Sequence, residues 1–540
     1  MTTRLFPFLL GLCLAASTQA QVAPTIRSVA NAASNTDALL PNSAIARGSM
    51  FVIKGENMGP PAITVANTFP LLTTYLGTSI KVTTPGNEKQ FDAIIYYTGT
   101  AQVAAILPSA VPEGQASLRL TYNGLASQTF NINVVKSNFG AFTINSSGAG
   151  ESIAFNASNA LGVLSPVNPA KPGDILSFWG TGLGPIDADE TKAAPQFDMT
   201  TVPVQAWVGG KTADIVFRGR NSCCTAVDTI YIRVPAGVSG CVTPVTFKVG
   251  DQYTNTTLIP TTQSGNLCSP NSPTVTQSDL SQLVTKTSLW YGSIFLNRSS
   301  AFPNTSVQPV GTTADQGVGV FTRLQVYPGW VGFTNWDVVH PRSCNVVTSG
   351  GLLGSGTFTF LDAGQLSVNG PAGFASMNRD PLSGGYYGLL GGSGQYVVPG
   401  TFTVTSGFLN NDTATVSLTY TTPVVWTNFS QLASIDRNAG ATITWTGGDP
   451  NGFVQVFAYG TLVNTQGGQV ATGITCVAPS GDHSFTIPPY ILAALPPTQA
   501  GNPAILGISG FAAPKKISGG GLDLTFAAVV DHAGINVTYR

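Results

Sequence analysis

Hydrolysis of a glycoside needs two placed carboxylates, and nucleophilic catalysis needs a hydroxyl or thiol beside a base. The five glutamates of this chain, Glu56, Glu88, Glu113, Glu151 and Glu190, leave only aspartate for the last 350 residues. There Asp337, Asp362, Asp380, Asp412, Asp436, Asp449, Asp482, Asp523 and Asp531 are scattered, several in turn sequences such as Asp449-Pro-Asn-Gly452, where an aspartate bonds its own backbone. Asp482-His483 and Asp531-His532 adjoin, but neighbours on a strand point to opposite faces, so neither pair is a dyad by itself. Neither a G-x-S-x-G elbow nor an H-E-x-x-H helix occurs. The expectation is a protein that is not an enzyme, with no catalytic residue and no cofactor.

Asp187-Ala-Asp189-Glu190 offers alternating oxygens, but an EF-type calcium loop needs more ligands at fixed offsets, so a solvated loop is the reading. Three histidines, His340, His483 and His532, and no CxxC pair argue against zinc. Trp290, Tyr291, Trp330, Trp336, Tyr386, Tyr387, Trp426 and Trp445 concentrate aromatic rings in the second half. Rings of this kind either fill a core or serve as platforms for sugars. Trp445 has the alternation of a core strand, whereas Gly and Asn surround Trp330 and Trp336, making these two the ligand-binding candidates.

The elements that must position these residues are strands. Only 9% of residues are charged and glutamate, a helix former, is rare, which excludes a helical bundle. Lys plus Arg (24) nearly balances Asp plus Glu (25) with no basic run, which excludes nucleic acid as a partner. Met1 to Ala20 reads as a signal peptide, with Arg4 before an apolar run from Leu5 to Ala16. A lipoprotein signal at Cys13 is the rival, disfavoured because Leu12 stands where a small residue is needed. No later segment has the ~20 apolar residues of a transmembrane helix. The expected localisation is secreted, extracellular or at the cell surface. In that oxidising route Cys223, Cys224, Cys241, Cys268, Cys344 and Cys476 are disulfide candidates. Fifteen pairings are possible. A bond between the adjacent Cys223 and Cys224 would close a tight ring, so these two are paired with Cys241 and Cys268, and Cys344 with Cys476.

One self-match organises the first half. Gly48, Gly55, Gly59 and Pro60 recur 125 positions later as Gly173, Gly180, Gly184 and Pro185, and Val103 to Pro108 recurs as Ile230 to Pro235. Each copy is a set of short alternating runs bounded by turns about every ten residues, the pattern of an antiparallel sandwich. Gly180-Thr-Gly-Leu-Gly184-Pro185 is not a dinucleotide loop, since Pro185 blocks the helix that would aim amides at a phosphate. Ile26 to Ser34, the Gly48 to Pro60 segment, and Asn168 to Pro185 resemble the IPT/TIG type of Ig-like domain, and more closely a tandem version found in secreted bacterial proteins. The resemblance covers roughly residues 24 to 261 and implies an Ig-like β-sandwich per copy, with no implied activity.

The expected fold is all-β: two tandem Ig-like sandwiches (24–136 and 138–261), a linker (262–275), and β subdomains at 276–421 and 422–540. A helix capped by Ser278 is expected after the linker, with Leu280, Leu283 and Val284 on one face. The function this suggests is a non-catalytic surface protein whose Ig-like modules are spacers or adhesive units and whose C-terminal region binds a carbohydrate or another surface protein. The alternatives are a carbohydrate-active enzyme with its site in 276–540, and a purely structural stalk.

Overall fold

The computed structural model describes residues 22–158, 162–301, 314–326, 338–348, 358–391, 395–463, 468–502 and 504–540. The signal-peptide reading and both Trp330 and Trp336 lie outside the described residues.

The repeated segments fold alike. Met50–Glu56 pairs antiparallel with Gln102–Ile106, and Ile175–Thr181 pairs in the same way with Asp228–Arg233. The shared glycines permit close crossings: a Cβ on Gly55 would strike the Thr25 carbonyl, and one on Gly180 the Gly140 carbonyl and the Phe139 ring. In the first module, a five-stranded and a seven-stranded sheet enclose a core that includes Phe51, Ile53, Val82, Leu118 and Leu120. In the second, ten strands form one hydrogen-bonded sheet, seven of them in a continuous path, wrapped around Phe139, Phe178, Ile230, Val245 and Phe247. Alternation puts one apolar side chain in two into these cores, which is what drives the layers together.

The C-terminal half is built on one sheet of fourteen strands. From one edge it runs in the order Ser343–Thr348, Gln469–Pro479, Phe453–Val463, Ala504–Phe511, Leu524–Asn536, Ser288–Ala301, Ala314–Gln325. The sheet takes strands from both sides of residue 421, and each of the two cores beneath it draws residues from both sides as well. Ile294, Leu296, Phe321, Ala527 and Val529 face one core. Val454, Val456, Leu506, Ile508 and Ile535 face the other. Leu524–Asn536 serves both, which fuses the two units.

The expected helix is Gln277–Leu283, but its N-cap is Thr276 and not Ser278. Thr276 and Asp279 exchange side-chain and backbone bonds in a capping box, which satisfies two otherwise orphan amides. Leu280, Leu283 and Val284 are buried against Cys241, Cys268, Leu289, Leu324 and Leu524.

The cysteine pairing differs from the expectation in one respect. Cys223 bonds its neighbour Cys224, and Cys241 bonds Cys268, while Cys344 bonds Cys476. Cys223 and Cys224 occupy the turn between Lys211–Arg220 and Asp228–Arg233, with Cys223 exposed, whereas Cys241 and Cys268 are both buried in the apolar cluster beneath the helix. Burial of Cys241 and Cys268 side by side takes both away from the exposed turn.

Polar contacts join the modules. Arg220, 3% exposed, bonds the fully buried Asp228 at 2.7 Å and reaches across to the Gly48 carbonyl of the first module at 2.8 Å. Asn31 donates to the carbonyls of Asn138 and Thr181, and Glu190 accepts from the amide and hydroxyl of Ser109. The second module meets the C-terminal half where Trp207 stacks on Tyr490, centroids 4.2 Å apart, and where His340 Nδ1 lies 2.8 Å from the Ser239 carbonyl.

Candidate functional site

Strands with apolar residues on both faces must cover both. In the central sheet, the odd-numbered positions of Phe453–Val463 and Ala504–Phe511 turn away from the core. Register sets Phe453 opposite Phe511, and Phe295 on Ser288–Ala301 and Phe526 on Leu524–Asn536 complete the group. Phe453 and Phe511 stack with centroids 4.6 Å apart, and Phe295 and Phe526 approach at 5.9 Å. All four rings are only half-buried.

Over this face lies a cavity of ≈ 470 Å³, lined on the sheet side by these phenylalanines and Tyr291 and roofed by Thr274, Val275, Val338 and Val339. This volume is in the range of sites for small organic molecules. Asn345, Gln455 and Thr475 bring polar groups into the same cavity from three adjacent strands. No described residue lining it carries a charge. Burial pushes the Tyr291 hydroxyl above its ordinary value, so it stays a neutral donor.

Further along the same face, Ser509 Oγ lies 2.8 Å from His532 Nδ1, and His532 Nε2 lies 3.1 Å from Asn297 Oδ1. A neutral ring protonated on Nε2 satisfies both contacts, donating to Asn297 and accepting from Ser509. Burial pushes the His532 pKa down to about 4. Activating a serine requires the ring to take its proton and an anionic partner to stabilise the cation that forms. Asn297 supplies no charge, and burial opposes the cation, so the arrangement is suited to a fixed hydrogen-bonded strut across three strands.

Most aspartates of the second half bond their own turns. Asp362, Asp380, Asp436 and Asp449 accept from amides two residues on. Asp482 pairs with Arg342 through two bonds of 2.8 Å, while the His483 backbone closes a turn with φ 55°. Asp531 and His532 face opposite ways, as their adjacency on a strand requires. Asp531 points into the core side, where it accepts from the Tyr420 hydroxyl and the Val424 amide. Asp315, which the reading of the sequence passed over, is 2% exposed and accepts from the amides of Tyr396 and Val397. These two carboxylates tether loops. Asp189 is engaged by Thr191 and Lys192, and Glu190 by Ser109.

Among the aromatic residues singled out from sequence, Trp426, Trp445 and Tyr386 are buried in the cores, and Tyr387 is 49% exposed. Tyr291 alone of the described ones lines the cavity. The four phenylalanines were missed. Their signal was present as strand segments apolar at consecutive positions, such as Ile294 to Leu296 and Phe526 to Val530, a sign of burial on both faces.

No family model matches this chain, and no curated protein matches it. Solved structures of tandem β modules do. Domains 5-6 of the S-layer protein SbsC match at 11% identity over 45% of this chain and 100% of that one, TM-score 0.16. The I67-I69 fragment of titin matches at 9% identity over 72% and 98%, TM-score 0.11. SGBP-B of the Bacteroides ovatus mixed-linkage glucan utilization locus, solved in complex with a mixed-linkage heptasaccharide, matches at 9% identity over 84% of this chain and 94% of that one, TM-score 0.14. The chain is an all-β protein with Ig-like modules and three disulfides. Among the described residues, no helix is long and apolar enough to cross a membrane.

Proposed function

We propose that this is an exported, non-catalytic binding protein, in which two IPT/TIG-type modules support a C-terminal half that holds a small ligand on the outer face of its sheet. The observation that carries this reading is the ≈ 470 Å³ cavity in which five aromatic rings meet three polar side chains from neighbouring strands. A folded sheet tolerates half-exposed phenylalanines at a cost of about 25 cal/mol per Å² left in water, so their gathering at one roofed hollow favours a bound guest. The Ser509 and Tyr420 hydroxyls, the Asp315 and Asp531 carboxylates and His532 are engaged in structural bonds, which supports binding without turnover.

The test uses the mature chain, residues 21 to 540, screened for thermal stabilisation by a glycan panel and a panel of small organic molecules, with mass analysis of every ligand recovered. The expected result is a ligand recovered unchanged whose effect is abolished in Phe511→Ala. Chemical conversion of a ligand overturns the non-catalytic reading. Stabilisation that survives Phe511→Ala and Phe453→Ala moves the site elsewhere.

A further inference from the structure

Resting on the cavity being the binding site, we infer that its ligand is an uncharged, ring-bearing molecule with a hydrogen-bonding group at one end, bound by apolar contact at the other. Three observations converge. The first is the absence of charge: no described lining residue is Asp, Glu, Lys, Arg or His. Moving an ion into such a hollow forfeits its hydration with no counter-charge to replace it. The chain thereby discriminates against phosphates, carboxylates and acidic sugars.

The second is the geometry of the rings. The stacked pair Phe453–Phe511 and the tilted pair Phe295–Phe526 leave half-buried ring surface along one wall. A flat apolar ring laid on such a wall gains area burial and edge or offset contacts. A sugar needs many placed hydrogen-bond partners for its hydroxyls, and these rings offer none.

The third is the polar end. Asn345 stands opposite Thr475 in register, and Gln455 opposite Val477 on the next strand. All three polar side chains are half-buried, line the cavity, and make no hydrogen bond to another described residue. An amide and a hydroxyl left half-buried and unpaired gain most from a ligand hydroxyl, carbonyl or amide. Two amides and one hydroxyl can both donate and accept, which suits a neutral group of either kind.

The probes are N-phenyl-1-naphthylamine, which is neutral, and 1-anilinonaphthalene-8-sulfonate, its anionic counterpart, titrated into the mature chain and followed by fluorescence. The expected result is one saturable site for the neutral probe, with affinity at least tenfold above that of the sulfonate, and at least a tenfold loss in Phe511→Ala. A second pair, 2-naphthol and naphthalene as competitors, reads the polar end: the naphthol is preferred by the wild type, and the preference disappears in Gln455→Leu with Asn345→Leu. Those two substitutions lie away from both cores, and circular dichroism verifies that the variant is folded. Preference for the sulfonate, or for an acidic glycan, with dependence on Phe511 overturns the ligand class while leaving the site. Binding of every probe and glycan without dependence on Phe511 or Phe453 overturns the site reading itself.

Discussion

At the scale of single residues, two buried titratable groups have opposite pH signatures. Burial lowers the His532 pKa to about 4, so the folded state binds fewer protons than the unfolded one between pH 6.5 and 4. The stability held by its neutral form is complete above pH 6.5 and is lost as pH falls toward 4, on the order of 2–3 kcal/mol. Burial raises Glu151 to about 7. Its protonated form stabilises the second module fully below pH 4.5, and that contribution is lost as pH rises toward 7. Denaturant titrations at pH 4.5 and 7 check both: His532→Gln loses the acid-side destabilisation of the C-terminal half, and Glu151→Gln gives the second module more stability at pH 7 relative to pH 4.5 than the wild type has. A third prediction concerns Arg220. In Arg220→Met the fully buried Asp228 keeps its amide donors Gly182 and Leu183 but loses its cation, and the Gly48 carbonyl loses its donor. The expected loss is about 3–5 kcal/mol in chemical denaturation, because a buried charge is left without its partner.

At the scale of elements, the capping box and the long-range disulfide are the testable devices. Thr276→Ala removes the side chain that accepts the Asp279 amide, and thermal melting is expected to show a loss of about 1 kcal/mol. Cys344 and Cys476 are register partners on adjacent strands, 132 residues apart in sequence. Replacing both by alanine lengthens the loops available to the unfolded chain and is expected to cost about 2–5 kcal/mol, read from the denaturation midpoint. Turn chemistry was legible in sequence at this scale, because an aspartate two residues before an amide acts locally, as at Asp449 and Asp380. The helix cap was misplaced by two residues for a similar reason. Thr276 and Ser278 are both acceptable caps, and only the docking of Leu280 and Leu283 under the linker selects the first.

At the scale of the whole molecule, the Trp207–Tyr490 stack and the Asn42 bonds join all three parts. Asn42 accepts from the Asn138 side chain and the Tyr253 amide, and donates to the Ala493 carbonyl. A chain so cross-linked is braced rather than strung out. Small-angle scattering of Asn42→Ala with Tyr490→Ala is expected to give a larger maximum dimension than the wild type; equal dimensions would assign the bracing to other contacts.

What the sequence determined by itself is what local rules control. Period-two alternation, scarce glutamate and a glycine pattern repeated at 125 residues dictate strands, sandwiches and a tandem pair, since each depends on residues a few positions apart. Tertiary structure alone decided that Cys241 meets Cys268 and leaves Cys223 to Cys224, since the exposed turn at Cys223 and the buried contact of Cys241 with Cys268 arise from packing between distant segments. It also decided the site. Phe295, Phe453, Phe511 and Phe526 are separated by up to 231 residues and become one wall only through strand order and register, quantities set by the burial of two cores on the far side of the sheet.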